Sequence, residues 1–156
     1  MFKKWSVFFL ILGLFSLSTA TIINGSQDPK QTYAKYLSVA EFEKITGLTG
    51  VITKHEYDLQ FYDSTGKNHL LQVRFDQPKS FARETKNTSL WQPVEGIGEK
   101  AMWSIPAMPF NITFIRGTHM VALCTFTKPD SIETFLSFDQ LKAVAKIIDA
   151  NVIKLK

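Results

Sequence analysis

The segment VEGIGEKAMW, residues 94–103, is the part of the sequence that comes nearest to a ligand-binding motif. Gly96 and Gly98 suggest a dinucleotide-binding loop, but such a loop needs a third glycine and a helix whose N-terminus meets the pyrophosphate. Here no third glycine follows, the next residues are typical of a strand, and no Gly-Lys-Ser/Thr phosphate loop occurs elsewhere. We therefore predict that both glycines serve a tight turn that leads into a strand.

The three histidines are the next candidates, because imidazole is a common metal ligand. The expected hairpin places His55 and His69 on one face but at its opposite ends, about 20 Å apart at roughly 3.3 Å per residue. His119 sits at the tip of another expected hairpin. These separations are too large for one shared ion, so the sequence predicts no metal site. It also contains no motif for a cofactor.

Cys124 is the only cysteine, so the chain cannot form an internal disulfide. Its position in an apolar strand indicates a small buried residue, with a reactive thiol or an intermolecular disulfide as alternatives. No serine occupies a recognisable nucleophile turn, and no local pattern pairs the cysteine with a histidine. We assign no catalytic residue from the sequence.

Acid–base catalysis by paired carboxylates is the remaining enzymatic chemistry to consider. Glu95 and Glu99, together with Asp63 or Asp76, supply the residue types that a glycoside hydrolase uses, and His119 is a further candidate. Nothing in the local sequence brings these groups together. We expect an enzyme of this kind, such as a hydrolase of envelope polymers, only if folding gathers them in one pocket.

Aromatic residues outside the expected core are candidate contact points, because aromatic side chains anchor many interfaces. Trp91 stands in a loop-like stretch beside Gln92 and Pro93, and Tyr62 lies on the polar face of an expected strand. We take Trp91 and Tyr62 as candidate contact residues. Trp103 stands within the next strand and is predicted to lie in the core.

The N-terminal residues 1–20 have the pattern of a secretory signal peptide. Lys3 and Lys4 form a basic start, residues 7–17 form a short apolar core, and a final Ser-Thr-Ala supplies the small residues that a signal peptidase recognises. We predict cleavage after Ala20 and export to the periplasm or the extracellular space. The alternative is an uncleaved membrane anchor, although the apolar run is shorter than the ~20 residues of a spanning helix.

Beyond this signal, residues 21–36 are polar and indicate a flexible leader, and residues 37–156 have the length and apolar content of a single domain. Without Lys3 and Lys4 the formal net charge of +4 falls to +2. A nucleic-acid partner requires a clustered basic surface, which this near-balance does not favour. No later segment is apolar enough to span a bilayer, so no stable membrane insertion is expected after cleavage.

Two helices carry matching start signals. In residues 37–47 a serine and a glutamate three positions apart form a capping box before an apolar stripe, and a glycine ends the segment. The same box, with Gln140 as its second member, opens a longer amphipathic helix that reaches about residue 151. Residues 78–87 are a weaker helix candidate.

Between the helices the apolar residues alternate with period two, which predicts antiparallel hairpins. The first hairpin pairs residues 51–62 with residues 69–75. Asp63 is expected to pair with Lys67, which leaves residues 64–66 as a three-residue loop in which Gly66 takes the left-handed conformation. Opposite residues must share a face, so the two apolar sets must meet. The expected register is Phe61 opposite His69, Leu59 opposite Leu71, and Tyr57 opposite Val73.

The second hairpin joins residues 110–116 to residues 119–126 through Gly117-Thr118, a two-residue loop that suits a type II′ turn. Both of its faces are largely apolar, so we place this pair inside the sheet. Residues 99–105 add another strand, and residues 87–93 have the composition of a loop. Helices before and after these hairpins predict an α+β fold, in which an N-terminal and a C-terminal helix pack on an antiparallel sheet.

The order of these segments resembles small exported bacterial proteins of unknown function. The features that carry the resemblance are a helix ending in EKITGL, the VEGIGEKAMW turn, the hairpin ITFIRGTHMVALCTF and the closing helix LKAVAKIID. Over residues 37–150 the chain is similar to actinobacterial secreted lipoprotein families, which implies a curved antiparallel sheet of the PsbP or Mog1 type. The lipid-modified cysteine of those families is absent here, so the resemblance does not imply a membrane tether. It implies no catalytic residues either.

Taken together, these observations predict an exported, non-enzymatic binding or interaction domain. Its sheet face, or the groove between sheet and helix, is expected to hold a protein partner or a small apolar ligand. The alternatives are an enzyme whose site is assembled from scattered residues and a membrane-anchored protein with an uncleaved signal.

Overall fold

The protein is represented by a computed structural model that describes residues 33–55, 58–104 and 110–154. The helices are α1 Val39–Thr46, α2 Lys79–Glu84 and α3 Phe138–Lys154, and the strands are β1 Ile52–His55, β2 Leu59–Tyr62, β3 His69–Asp76, β4 Trp91–Pro93, β5 Lys100–Ser104, β6 Asn111–Arg116 and β7 His119–Thr125. In these residues the strands form one sheet in the order β1-β2-β3-β7-β6-β5-β4, with antiparallel neighbours. The predicted α+β fold is confirmed.

The two long helices begin where the capping boxes predict. At α1, Ser38 donates its backbone N–H to the Glu41 carboxylate (2.9 Å), and the Glu41 N–H donates to the serine hydroxyl (3.2 Å). Ser137 and Gln140 make the same pair of bonds at the start of α3, at 2.9 and 3.2 Å. Each box satisfies two backbone N–H donors that would otherwise lack partners. The residues at the start of each helix therefore determine where it begins.

The hydrophobic core lies between one face of the sheet and helices α1 and α3. Phe42 of α1 stacks on Phe61 of β2, with ring centroids 4.4 Å apart. The fully buried core residues of the central strands and α3 are Leu71, Val73, Ile112, Phe114, Val121, Leu123, Leu141, Val144, Ala145 and Ile148. The short helix α2 lies on the other face of the sheet, where Glu84 pairs with Arg74. Much of that second face is therefore left uncovered by helices.

The single strand expected over residues 51–62 is wrong, because the structure divides it into β1 and β2. These two strands are antiparallel, with His55 opposite Leu59. A hairpin that pairs these residues puts them on the same face, as one continuous strand would also do. Apolar alternation therefore cannot distinguish the two arrangements.

The expected register of β2 and β3 is also wrong, by two residues. The observed pairs are Leu59 with Val73, Phe61 with Leu71, and Tyr62 with His69. The predicted partners of Phe61 and Leu59 are thus incorrect, while Tyr57 lies outside the described residues. The apolar faces still match, because a shift of two residues preserves parity.

Two local features account for this shift. Asp63 donates its backbone N–H to Asn68 (3.0 Å), so the loop comprises residues 64–67 and is one residue longer than expected. A bulge between the Phe61 and Tyr62 pairings adds the second residue. Gly66 has a φ of 69°, so its predicted left-handed conformation is confirmed.

The second hairpin is confirmed in register and position. Arg116 pairs with His119 across the two-residue loop, and Phe114 pairs with Val121. Of the two loop residues only Gly117 has a positive φ (57°), as a type II′ turn requires. Both strands lie in the interior of the sheet, so the placement inferred from two apolar faces is correct.

Residues 87–93, expected to be a loop, end in the edge strand β4. Trp91 pairs with Ser104 and Pro93 with Met102. An edge strand tolerates proline because its second side has no neighbour to bond. At the start of the domain, Tyr33 and Tyr36 from the expected leader pack on Phe75, with ring centroids 5.1 and 4.7 Å away.

Candidate functional site

The uncovered face of the sheet carries two short rows of side chains across β3, β7 and β6. In the first row Gln72 lies opposite Cys124, which lies opposite Asn111. In the second row Arg74, Ala122 and Thr113 are aligned in the same way. Because side chains alternate along a strand and the residues between these positions face the core, both rows point away from it.

These two rows form the floor of a groove of about 350 Å³. Its depth comes from Ala122 and Cys124, whose side chains are small. Larger side chains stand around them, with Arg74 on one side, Trp91 on the other and Glu84 of α2 at the end. The groove thus depends on the strand order, which places small residues of β7 between longer ones.

Thr113 is the feature of this groove that most suggests a ligand. Its side chain is only 1% exposed, yet its Oγ1 has no hydrogen-bond partner among the described residues. A buried hydroxyl without a partner costs roughly 1–3 kcal/mol, and such groups are rare in folded proteins. Thr113 lines the groove, and its buried hydroxyl can both donate and accept a hydrogen bond.

The charged groups of the groove are balanced by nearby partners. Arg74 forms an ion pair with Glu84, which also ties α2 to the sheet. Gln72 donates its Nε2 to the Asp58 carboxylate at 2.5 Å, and its carbonyl oxygen is a further hydrogen-bond acceptor. The groove therefore offers mostly uncharged hydrogen-bonding groups rather than a net charge.

Cys124 lines the groove instead of being fully buried, so the predicted burial is only partial. Burial nevertheless raises the pKa of its thiol to about 11, and the charge of Arg74 offsets only part of this rise. A thiol with this pKa stays protonated at neutral pH, and only the thiolate is a strong nucleophile. Cys124 thus contributes shape to the groove and lacks the activation that a catalytic cysteine needs.

The two candidate contact residues lie apart. Trp91 lines the groove from the edge strand β4. Tyr62 lies on β2, where its hydroxyl donates to Gln60 (2.8 Å) and the Lys54 ammonium lies 4.0 Å from its ring centroid. Tyr62 is therefore engaged within the protein, whereas Trp91 is positioned to meet a ligand. Trp103 faces α3 and packs on Phe138, as its predicted core position requires.

In the described parts of the chain no cluster of three metal-binding side chains occurs. His55 and His69 lie on β1 and β3, on either side of β2. The ring of His69 is stacked between Tyr62 (4.5 Å) and Phe126 (4.0 Å), and its Nε2 is buried without a hydrogen-bond partner there. Burial lowers the pKa of His69 below its usual value.

The VEGIGEKAMW turn forms hydrogen bonds with other segments of the protein. Gly98 donates its N–H to the Asp149 carboxylate of α3 (2.9 Å), and Glu99 donates to the Ile115 carbonyl (2.8 Å). The Glu99 carboxylate in turn accepts from Gly117 (2.9 Å). A Cβ atom at Gly98 would lie 2.4 Å from the Ile115 oxygen, so a side chain does not fit there. These contacts support the structural role that the sequence predicts for this turn.

Asp149 also holds Arg116 through two hydrogen bonds, at 2.5 and 2.6 Å. Burial opposes the charged form of this carboxylate, but the hydrogen bonds from Arg116 and Gly98 outweigh it and keep the pKa of Asp149 below its usual value. The Asp149 carboxylate of α3 therefore links the VEGIGEKAMW turn and the second hairpin to the C-terminal helix.

The carboxylates considered for acid–base catalysis are not gathered in one pocket. Asp76 and His119 share a second groove of about 480 Å³, walled by Phe75 and two tyrosines, but Glu95 and Glu99 do not line it. A hydrogen bond from the Gln77 N–H lowers the pKa of Asp76, which keeps the group ionised. Asp63 binds its own loop, where the Thr65 hydroxyl and neighbouring donors lower its pKa to about 2.

Trp91 was predictable from the sequence as a contact residue, but the groove floor was not. Thr113 and Asn111 lie on the less apolar face of an expected interior strand, and their position over a groove depends on which strands are neighbours. One usable signal was present: Ala122 and Cys124 are small residues on a face where neighbouring positions are large.

No helix in the described ranges is both long and apolar enough to cross a membrane. The chain was also compared with protein-family models, curated proteins and solved structures, and it matches none of them.

Proposed function

We propose that the protein is an exported binding domain that holds a small ligand in the groove formed by β3, β7, β6 and Trp91. The observation that carries this proposal is the buried hydroxyl of Thr113, a residue that lines the groove, because this hydroxyl has no partner in the described residues. A ligand that supplies the missing hydrogen bond removes the free-energy cost of the unsatisfied hydroxyl, which favours binding.

Binding suits the groups in this groove better than catalysis. The Cys124 thiol is held in its protonated form by a pKa of about 11. Arg74 and Glu84 are paired with each other, which lowers the tendency of either to act on a substrate. The remaining groups are carboxamides and a hydroxyl, which recognise ligands through hydrogen bonds.

The polar floor favours a ligand with hydrogen-bonding groups over the purely apolar ligand expected from the sequence. An apolar ligand would fit better in the second groove, where Tyr33, Tyr36 and Phe75 form the wall. The two grooves lie on different parts of the surface and share no lining residue. Variants at each groove can therefore distinguish the two locations.

Export is proposed from the signal-like residues 1–20. Sequencing the N-terminus of protein recovered from the exported fraction tests this part. A product that begins at Thr21 supports cleavage and export, whereas a membrane-bound product that retains residues 1–20 would support the anchored alternative.

Native mass spectrometry of the gently purified exported protein tests the binding function. We expect a non-covalent adduct of small-molecule mass, which Thr113→Val weakens and Thr118→Val leaves unchanged. Thr118 is the matched control because it lines the second groove. Loss of the adduct only in Thr118→Val would move the site to the second groove, and the absence of any adduct from the wild-type protein would contradict the proposal.

A further inference from the structure

The chemistry of the groove also specifies a class of ligand. We infer that the groove binds an uncharged saccharide, through one or two sugar rings. This inference rests on the proposed function, since it names the ligand for that same site. Three properties of the groove carry it: the hydrogen-bonding groups on its floor, its charge balance and its aromatic wall.

The floor presents donors and acceptors side by side. Thr113 offers a hydroxyl, Asn111 offers both halves of a carboxamide, and Gln72 offers its carbonyl oxygen because Asp58 holds its Nε2. A sugar hydroxyl donates one hydrogen bond and accepts others, so it matches a floor of this mixed kind. Thr113 and Asn111 lie two residues apart along β6, roughly 6.6 Å at about 3.3 Å per residue, so they can contact hydroxyls on different sides of one ring.

The charge balance selects against anions. Arg74 is the only cation that lines the described groove, and Glu84 neutralises it. A phosphate or carboxylate ligand would either lie near the Glu84 carboxylate, which repels it, or displace Glu84 from Arg74 and leave the glutamate without its partner. An uncharged polyol meets no such penalty and can still accept a hydrogen bond from the edge of the guanidinium.

Trp91 supplies an apolar wall. No aromatic ring in residues 33–55, 58–104 or 110–154 stacks on it, although several other aromatic residues in these ranges form pairs. A sugar ring has C–H groups that present an apolar, slightly positive face, which packs on the negative face of an indole. The volume of about 350 Å³ is near the lower limit for ligand pockets, as a ligand of one or two rings requires.

Saturation-transfer NMR on the purified protein tests this inference. The probes are glucose, galactose, mannose, N-acetylglucosamine and their disaccharides, with glucose 6-phosphate and glucuronate as charged counterparts. We expect at least one neutral sugar to bind at least tenfold more tightly than the charged counterparts. We expect Trp91→Ala to weaken this binding about tenfold or more, and Trp91→Phe to retain most of it because the ring face is preserved.

Alkylation of Cys124 by iodoacetamide at alkaline pH, where part of the thiol ionises, provides a second readout, because Cys124 is the only cysteine and lines the groove. A neutral sugar that binds there should slow the reaction. If uncharged non-sugar fragments slow it but no saccharide does, the saccharide assignment is overturned and the binding function stands. If charged sugars bind more tightly than neutral ones, the assignment also fails. If no small molecule slows it, both proposals fail.

Discussion

Thr113 and Thr125 lie on the neighbouring strands β6 and β7 and are both almost completely buried, but in the described parts of the chain only the Thr125 hydroxyl has hydrogen-bond partners. Its hydroxyl donates to the Leu70 carbonyl (3.0 Å) and accepts from the Leu136 N–H (3.2 Å). Thr125 faces the core and joins the sheet to the segment before α3. Thr113 faces the groove, where its hydroxyl contributes nothing to the described fold.

Replacing each threonine with valine should therefore change stability in opposite directions. Thr113→Val removes an unsatisfied hydroxyl, so we expect the free energy of unfolding to stay the same or rise by up to about 1 kcal/mol. Thr125→Val leaves the Leu136 N–H without a partner and should lower the free energy of unfolding by roughly 1–3 kcal/mol. Urea unfolding measures both. A loss of stability in Thr113→Val equal to that in Thr125→Val would show that the hydroxyl has a partner within the fold.

Asp149 is expected to be the most important single carboxylate for stability. Asp149→Asn removes the charge that Arg116 faces, and the weaker hydrogen bonds at this part-buried pair should cost about 1.5–3 kcal/mol. Asp139→Asn, an exposed position on the same helix, should cost less than about 1 kcal/mol. Similar losses for the two variants in urea unfolding would mean that the buried pair adds no net stability.

The contribution of Asp149 should also depend on pH. Its folded pKa is depressed, so its stabilising effect is complete above the unfolded pKa of about 3.9 and is lost as the pH falls through the folded pKa. The difference in unfolding free energy between wild type and Asp149→Asn should therefore shrink in acid. A difference that stays constant from neutral pH down to about pH 2 would argue against this assignment.

Gly98 and Gly96 test whether the glycine turn is structural. Both have a positive φ, at 58° and 78°. An added Cβ at Gly98 meets the Ile115 oxygen at 2.4 Å, whereas at Gly96 the nearest atom is the flexible end of Lys146 at 3.9 Å. We expect Gly96→Ala to cost about 1–2 kcal/mol from backbone strain and Gly98→Ala clearly more. Thermal unfolding that ranks them in reverse would show that the clash is relieved by movement of β6.

His69 should make the protein less stable in mild acid. Its folded pKa is lowered by burial, so stability is complete above the unfolded pKa of about 6.5 and decreases as the pH falls below it. His69→Phe keeps a ring between Tyr62 and Phe126 and should remove this part of the pH dependence. His119→Gln is the control and should retain it. Equal pH profiles for wild type and His69→Phe would exclude His69 as the source.

Local signals in the sequence predicted the features that are determined locally. The capping boxes at Ser38 and Ser137 and the turn at Gly117 each depend on residues a few positions apart. Their chemistry is the same in the isolated segment and in the fold. The helix starts and the second hairpin were therefore predictable, as was the α+β class that follows from their order.

Features that depend on distant pairings could not be predicted in this way. The alternation of apolar residues is the same whether or not the chain turns between His55 and Leu59. It is also unchanged by a loop that is one residue longer when a bulge adds a second residue and returns the apolar residues to the same face. The groove requires β7 to lie between β3 and β6, so that Thr113 and Arg74 flank the same small residue. That neighbour relation joins two separate hairpins, and no local pattern specifies it.

Amide chemical-shift mapping of the ¹⁵N-labelled protein, with a library of uncharged small-molecule fragments, tests the central claim most directly. If the groove is the ligand site, fragments that bind should shift the amide signals of Arg74, Thr113 and Cys124 the most, and Thr113→Val should reduce these shifts. Shifts confined to Phe75, Thr118 and His119 around the second groove, or no binding by any fragment, would contradict it.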